Sequence, residues 1–279
     1  MRNNEDRFGP PVEEDTGPGP VSAATETPLN FVAPTEFVDL PSGGKLYPPG
    51  HPLHGKDTLE IKFMTAKEED ILTSKSLLRK GVAFDRMLQN LIVDKSVRLE
   101  NMLTGDKNAI LVASRISAYG EDYAVQVVCP ACETKQKFEF NLSDLSHNQP
   151  EDPEDLGTSL TDRGTFLCTL PRSKVQAEFR LLLGRDEAEM TKEMAAKKES
   201  ETASTKQLKT VLVSVNGQTD VRTVHSFVDN MPAVDARHLR KCIKGVTPDI
   251  DMTQKFVCSS CDHEEEMEVP LTAEFFWPK

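Results

Sequence analysis

From Glu36 onward the apolar positions change period several times, and each change marks an element. Phe37, Val38 and Leu40 form a short, mostly apolar run that reads as a strand, turned by Pro41-Ser42-Gly43-Gly44. Tyr47-Pro48-Pro49-Gly50-His51-Pro52-Leu53 reads as a rigid, part-apolar loop, a packed surface arm or a docking element. Leu59, Ile61 and Phe63 alternate with Glu60 and Lys62, which predicts a half-buried strand. Thr65-Ala66-Lys67-Glu68 is a capping box, in which the Glu68 side chain reaches back to the Thr65 N–H. One helix is predicted from there to about Lys80, with Ile71, Leu72 and Leu78 at helical spacing and Gly81 as its stop. Two more are predicted over 84–93 and about 106–118, the last ending near Gly120, and 123–128 reads as a strand.

The second half begins with a polar linker over 145–164, where Pro150 and Pro153 stand among Glu151, Asp152, Glu154 and Asp155. Val175, Ala177, Phe179, Leu181 and Leu183 alternate as a strand; Asp186 then caps a mostly solvated helix to about Ser204. Residues 208–215 read as a strand, Asn216-Gly217 as a hairpin turn, and 221–224 as the partner strand. A helix starts at Pro232, carries Val234, Leu239, Cys242 and Ile243, and is ended by Gly245 and Pro248. Residues 1–35 differ from all of this. They are rich in Pro, Gly, Glu and Thr and read as a disordered acidic tail.

Charge narrows the function classes. The formal net charge of -12, with no basic run, opposes nucleic-acid binding, which needs clustered Lys and Arg against phosphate. No stretch approaches the roughly 18 apolar residues of a membrane span, and the polar start lacks the apolar core of a secretory signal. Six cysteines then read as thiols or metal ligands rather than disulfides, late oxidation outside a cell being the alternative. H-E-x-x-H, G-x-S-x-G and G-x-G-x-x-G are all missing, and Gly55-Lys56 is followed by Asp57, which excludes a phosphate loop. The residues give no enzyme and no small-molecule substrate.

The chemistry concentrates in two cysteine knuckles, Cys129-Pro130-Ala131-Cys132 and Cys258-Ser259-Ser260-Cys261. Each follows a short apolar run and precedes another, so strand–knuckle–strand occurs twice, as in the halves of a zinc ribbon. Four thiolates at this spacing close a tetrahedral Zn2+ site, which is structural because no position stays open. The ligands are separated by the 125 residues from Glu133 to Val257. Closing that loop costs several kcal/mol, against about 10 kcal/mol or more from a structural zinc site. Glu133 and Asp262 stand where knuckles often carry Gly, because the backbone wants positive φ there. A thioredoxin-like pair needs an adjacent helix N-terminus, and neither knuckle is followed by a helical pattern. His263 is an alternative ligand or a solvated side chain. Cys168 and Cys242 fit apolar patterns as packing residues. His51 and His54 bracket a proline loop and suggest a loop contact more than a metal site. Glu264-Glu265-Glu266 reads as a solvated hairpin face.

Leu40-Pro41-Ser42-Gly43-Gly44 through Tyr47-Pro48, then Ile61-Lys62-Phe63-Met64-Thr65-Ala66-Lys67-Glu68-Glu69 and the two knuckles, resemble the T4-type bacteriophage baseplate protein family. The resemblance covers residues 36–279. It implies a baseplate hub or hub-assembly subunit of a contractile-tailed phage, assembled in the host cytoplasm, with other baseplate, hub and tail proteins as partners. The alternatives are an assembly chaperone or catalyst absent from the mature virion and, less favoured, a nucleic-acid-binding zinc ribbon. The expected architecture is α+β: a helical N-terminal part, small antiparallel sheets, and a zinc ribbon built from two distant CxxC knuckles. The expected divisions are the tail to 35, an extended arm and helical domain over 36–124, the first knuckle over 125–145, an inserted α/β segment over 146–254, and the second knuckle over 255–279.

Overall fold

A computed structural model of the chain describes residues 33–148, 150–195, 203–270 and 273–276. The disordered-tail expectation for residues 1–35 lies, up to residue 32, outside the described residues, as do residues 196–202 of the helix expected to reach Ser204. The architecture is α+β, with helices set among small antiparallel sheets.

β1 (Thr35–Asp39) and β2 (Thr58–Lys62) pair antiparallel with Val38 opposite Leu59. Val38, Leu59 and Ile61 are buried while Phe37 faces out, the alternation expected of a sheet wet on one side. The capping box forms: the Thr65 N–H donates to the Glu68 carboxylate at 2.9 Å and starts α1 (Ala66–Thr73). The single helix expected to Lys80 is in fact two. The chain breaks at Ser74 (φ -65°, ψ 106°) and resumes as α2 (Lys75–Arg79). α2 buries no residue, so no packing holds its axis in line, and the Thr73 hydroxyl bonds back to the Glu69 and Asp70 carbonyls. α3 (Ala83–Leu91) buries Met87, Leu88 and Leu91. α4 (Thr104–Tyr119) is the central helix and ends at Gly120 with φ 84°.

The Leu40–Leu53 segment is packed down, with Lys45 and Pro48 to Gly50 left exposed. Leu40, Ser42, Tyr47 and Leu53 are buried, and the loop is anchored on the fully buried Asp106 in the first turn of α4. The Asp106 carboxylate accepts from the Ser42 N–H at 2.9 Å, the Ser42 hydroxyl at 2.7 Å and the Tyr47 hydroxyl at 2.7 Å. The Tyr47 oxygen in turn accepts from the Leu103 N–H at 3.0 Å. Gly44 has φ 70°, and a Cβ there would stand 2.4 Å from the Lys56 backbone, so this crossing requires glycine.

β3 (Asp122–Val128) and β4 (Lys135–Asn141) form a hairpin around the first knuckle. The expected linker over 145–164 holds two strands, β5 (Ser146–Asn148) and β6 (Thr158–Leu160). Polar composition hid them because few of their side chains are buried; Leu156 and Thr158 anchor the stretch. β7 (Phe166–Thr169) and β8 (Gln176–Phe179) follow, then α5 (Gly184–Ala195) and α6 (Ala203–Val211). The expected strand over 208–215 is strand only as β9 (Leu212–Val215). Leu208 and Val211 are buried at helical spacing first. β6-β7-β8-β9 make one antiparallel sheet. The Asn216-Gly217 turn forms with both φ positive, but 221–224 is not its partner strand. Asp220 accepts from the Thr223 N–H at 2.9 Å and caps α7 (Val221–Asn230), so a local capping bond overrides the hairpin.

α8 (Ala233–Val246) runs through Gly245 and buries Leu239, Cys242 and Ile243. β10 (Asp249–Asp251) pairs with β5, and β11 (Thr253–Val257) with β12 (Glu264–Glu268) make the last hairpin. One continuous hydrophobic core joins β1 and β2 through α4 to the sheet, α8 and both hairpins.

Candidate metal centre

Each knuckle is a six-residue loop closing a hairpin, between Val128 and Lys135 in one and between Val257 and Glu264 in the other. Their backbones match. The Cys129 N–H donates to the Thr134 carbonyl at 3.0 Å and the Glu133 N–H to the Cys129 carbonyl at 2.9 Å. In the second, the Cys258 N–H donates to the His263 carbonyl at 2.9 Å and the Asp262 N–H to the Cys258 carbonyl at 3.0 Å. Glu133 (φ 57°) and Asp262 (φ 53°) both sit in the left-handed region, as the missing glycines suggested. In each loop the first cysteine is buried and the second exposed.

Side chains clasp the hairpins together. Gln136 Oε1 accepts from the Ser259 N–H at 3.0 Å and its hydroxyl at 2.7 Å, while Gln254 Oε1 accepts from the Asn141 N–H at 3.2 Å. Behind them Phe138 packs edge-on against Phe140 and Phe256. The Tyr123 hydroxyl donates to the Pro270 carbonyl at 2.9 Å and ties the chain's last segment to β3.

This clasp brings Cys129, Cys132, Cys258 and Cys261 together, with all four Sγ atoms within 4.8 Å of one another. Cys129 Sγ lies 3.8 Å from Cys261 Sγ, and Cys132 Sγ lies 3.7 Å from Cys258 Sγ. Four sulfurs placed about 2.3 Å from a tetrahedral ion stand about 3.8 Å apart, so the set fits a soft divalent metal held by thiolates. The Thr134 hydroxyl and N–H pull the Cys132 thiol down to about 6. The His263 N–H pulls on Cys261 likewise, but the neighbouring thiols prevail and push it up to about 12. Four thiols in one small volume compete for negative charge, and a divalent cation removes that conflict.

The other singled-out residues stand elsewhere. His263 is outside the cluster, with Nε2 3.3 Å from the Glu265 carboxylate. Cys168 and Cys242 are buried, the Cys242 sulfur lying 3.5 Å from His238 Nε2. His54 Nδ1 meets the Tyr47 carbonyl and His51 stacks on the Tyr47 ring, so both histidines brace their own loop. Glu264, Glu265 and Glu266 are exposed. Sequence reasoning missed the Gln136 and Gln254 clasp and the Asp106 anchor. The one local signal for Asp106 was an acidic residue in a helix's first turn, and that signal does not name its distant partners.

Fold and site together define an α+β scaffold whose distinctive chemistry is one four-thiol cluster. The model of the family described as T4 bacteriophage base plate protein matches residues 33–277, and the chain belongs to that family. Neither a curated relative nor a solved structure matches the chain. Membership makes the chain a structural or assembly protein of the phage baseplate that interacts with other tail proteins. No described helix is long and apolar enough to cross a membrane.

Proposed function

We propose that the chain is a hub subunit of a contractile-tail baseplate that works through protein interfaces, without catalysis, and is braced by one structural Zn2+. Cys129, Cys132, Cys258 and Cys261 would hold the ion. Bound there, it would join the middle of the chain to its end and fix the two hairpins as one ribbon. The observation that carries the role is the family match over residues 33–277. What supports the zinc is the four-thiol set, with its sulfurs within 4.8 Å. In this reading residues 36–124 form the arm and helical part, 125–145 and 255–279 the two ribbon halves, and 146–254 an inserted α/β segment. Assembly would take place in the host cytoplasm.

Mass spectrometry of purified particles tests the role. Presence at stoichiometric copy supports a hub subunit; absence transfers the role to an assembly chaperone. Metal analysis of the reduced chain tests the site. One zinc per wild-type chain and none in Cys258→Ser are expected, and a metal-free wild type would end the ribbon model. A nucleic-acid ribbon is disfavoured by Glu133, Asp262 and Glu264 to Glu266 around the knuckles.

A further inference from the structure

We infer that the exposed face of the β11–β12 ribbon docks into a basic cleft on a second copy of this chain. The cleft, of about 640 Å³, opens between α3, the Leu99–Asn101 turn and α5. Arg86, Arg98, Arg185 and Lys192 line it, all exposed. Four cations around one concavity run against a chain whose net charge is -12.

Their charge is poorly answered within the molecule. Arg86 and Lys192 have no ion-pair partner among the described residues. Arg98 meets Glu100 only at 4.0 Å, and Arg185 meets Asp186 only at 4.0 Å. The Asp186 carboxylate is already taken by Arg180 and the Leu183 N–H. Asp85, on the same wall, is spent on Lys107 at 2.7 Å.

The ribbon presents the complement. Glu264, Glu266 and Glu268 alternate along β12, so they share one face, with the partly exposed Val257 opposite Glu264. Glu264 pairs with Lys255 at 2.6 Å, whereas Glu266 and Glu268 have no ion-pair partner among the described residues. Alternate residues of a strand stand about 7 Å apart, a spacing that lets two carboxylates meet two separate cations in one cleft. Guanidinium groups grip carboxylates in bidentate pairs. Val82, Leu99 and Ala188 in the cleft lining offer apolar contact to Val257. The chain's net charge of -12 disfavours a long polyphosphate backbone, which would run past the cleft over acidic surface, whereas a strand with two carboxylates meets only the cleft cations. Donor face and acceptor face differ, so the contact is head-to-tail and can propagate into a ring.

Sedimentation velocity on the full-length chain tests this. Wild type is expected to self-associate at low salt and to weaken about tenfold or more when added salt screens the contact. Glu266→Arg with Glu268→Arg, and separately Arg86→Glu with Arg185→Glu, should each leave a monomer with unchanged thermal unfolding. Mixing the two reversed proteins should restore association, because each again finds an opposite partner. The neutral pairs Glu266→Gln with Glu268→Gln and Arg86→Gln with Arg185→Gln serve if a reversal misfolds, and each should weaken association. A wild type monomeric at all concentrations overturns the inference. So does association that survives either reversal, or a duplex oligonucleotide bound by wild type and not by the cleft variant. None of these outcomes touches the baseplate reading, which is tested on particles.

Discussion

Asp106→Ala isolates the anchor beneath the Leu40–Leu53 loop. It strips the acceptor from three donors, the Ser42 N–H, the Ser42 hydroxyl and the Tyr47 hydroxyl, all in buried residues. Each buried donor left without a partner costs about 1–3 kcal/mol. Against this, the variant recovers the desolvation of the carboxylate itself. Burial holds that carboxyl above its ordinary value, despite the hydrogen bonds from Ser42 and Tyr47. The expected net loss is about 3–5 kcal/mol, or about 6–20 °C in midpoint for a domain of this size. Tyr47→Phe removes one donor and the acceptor of the Leu103 N–H, and should cost about 2–3 kcal/mol. Urea unfolding followed by circular dichroism gives both values, and the double variant should fall short of their sum because the residues share one bond. A carboxyl raised in the fold favours folding most when protonated. Its contribution is therefore complete below the unfolded value of about 3.9 and is lost as pH rises through the folded value. Asp106→Asn, which cannot ionise, should flatten that decline while costing less than alanine. An Asp106→Ala stability within about 0.5 kcal/mol of wild type would refute the anchor, since that is the range of substitutions away from any such feature.

Gly105→Ala should fail to fold or lose more than about 3 kcal/mol, because its Cβ would stand 2.0 Å from the Pro248 carbonyl oxygen where α4 meets the segment before β10; expression and thermal unfolding check this. Glu133→Gly relieves a left-handed residue at φ 57° and should stabilise the first knuckle by about 1 kcal/mol, with a smaller gain for Asp262→Gly, read as thermal midpoints of the metal-loaded chain. Burial alone would raise the Asp186 carboxyl, but Arg180 and the Leu183 N–H overcome it and hold it below its ordinary value. Its contribution is therefore present above the unfolded value and lost as pH falls through the folded one; Asp186→Asn should cost about 1.5–3 kcal/mol at neutral pH and nothing at strongly acid pH, measured by urea titrations across that window.

How far the sequence reached depended on the range of the force involved. Thr65 and Glu68 sit three residues apart, so their capping bond was legible before any fold was known. The CxxC spacing was legible too, because two thiols two residues apart in a hairpin loop can face one ion without reference to the rest of the chain. Two of the misreadings fell where a local signal was overridden. Asn216-Gly217 marked a real turn, but Asp220 three residues on sent the chain into a helix instead of a strand. Thr73-Ser74 broke a helix whose second half had no core to rest against.

By itself, the sequence determined the local conformations, the thiol pairs and the positive-φ positions that follow them. All of these are set by interactions within a few residues. Only the tertiary structure decided that Ser42 and Tyr47 close on Asp106, 64 and 59 residues away. The same holds for Gln136 and Gln254, which clasp hairpins more than 110 residues apart. A buried donor must find an acceptor, but its choice of acceptor follows from how the whole core packs.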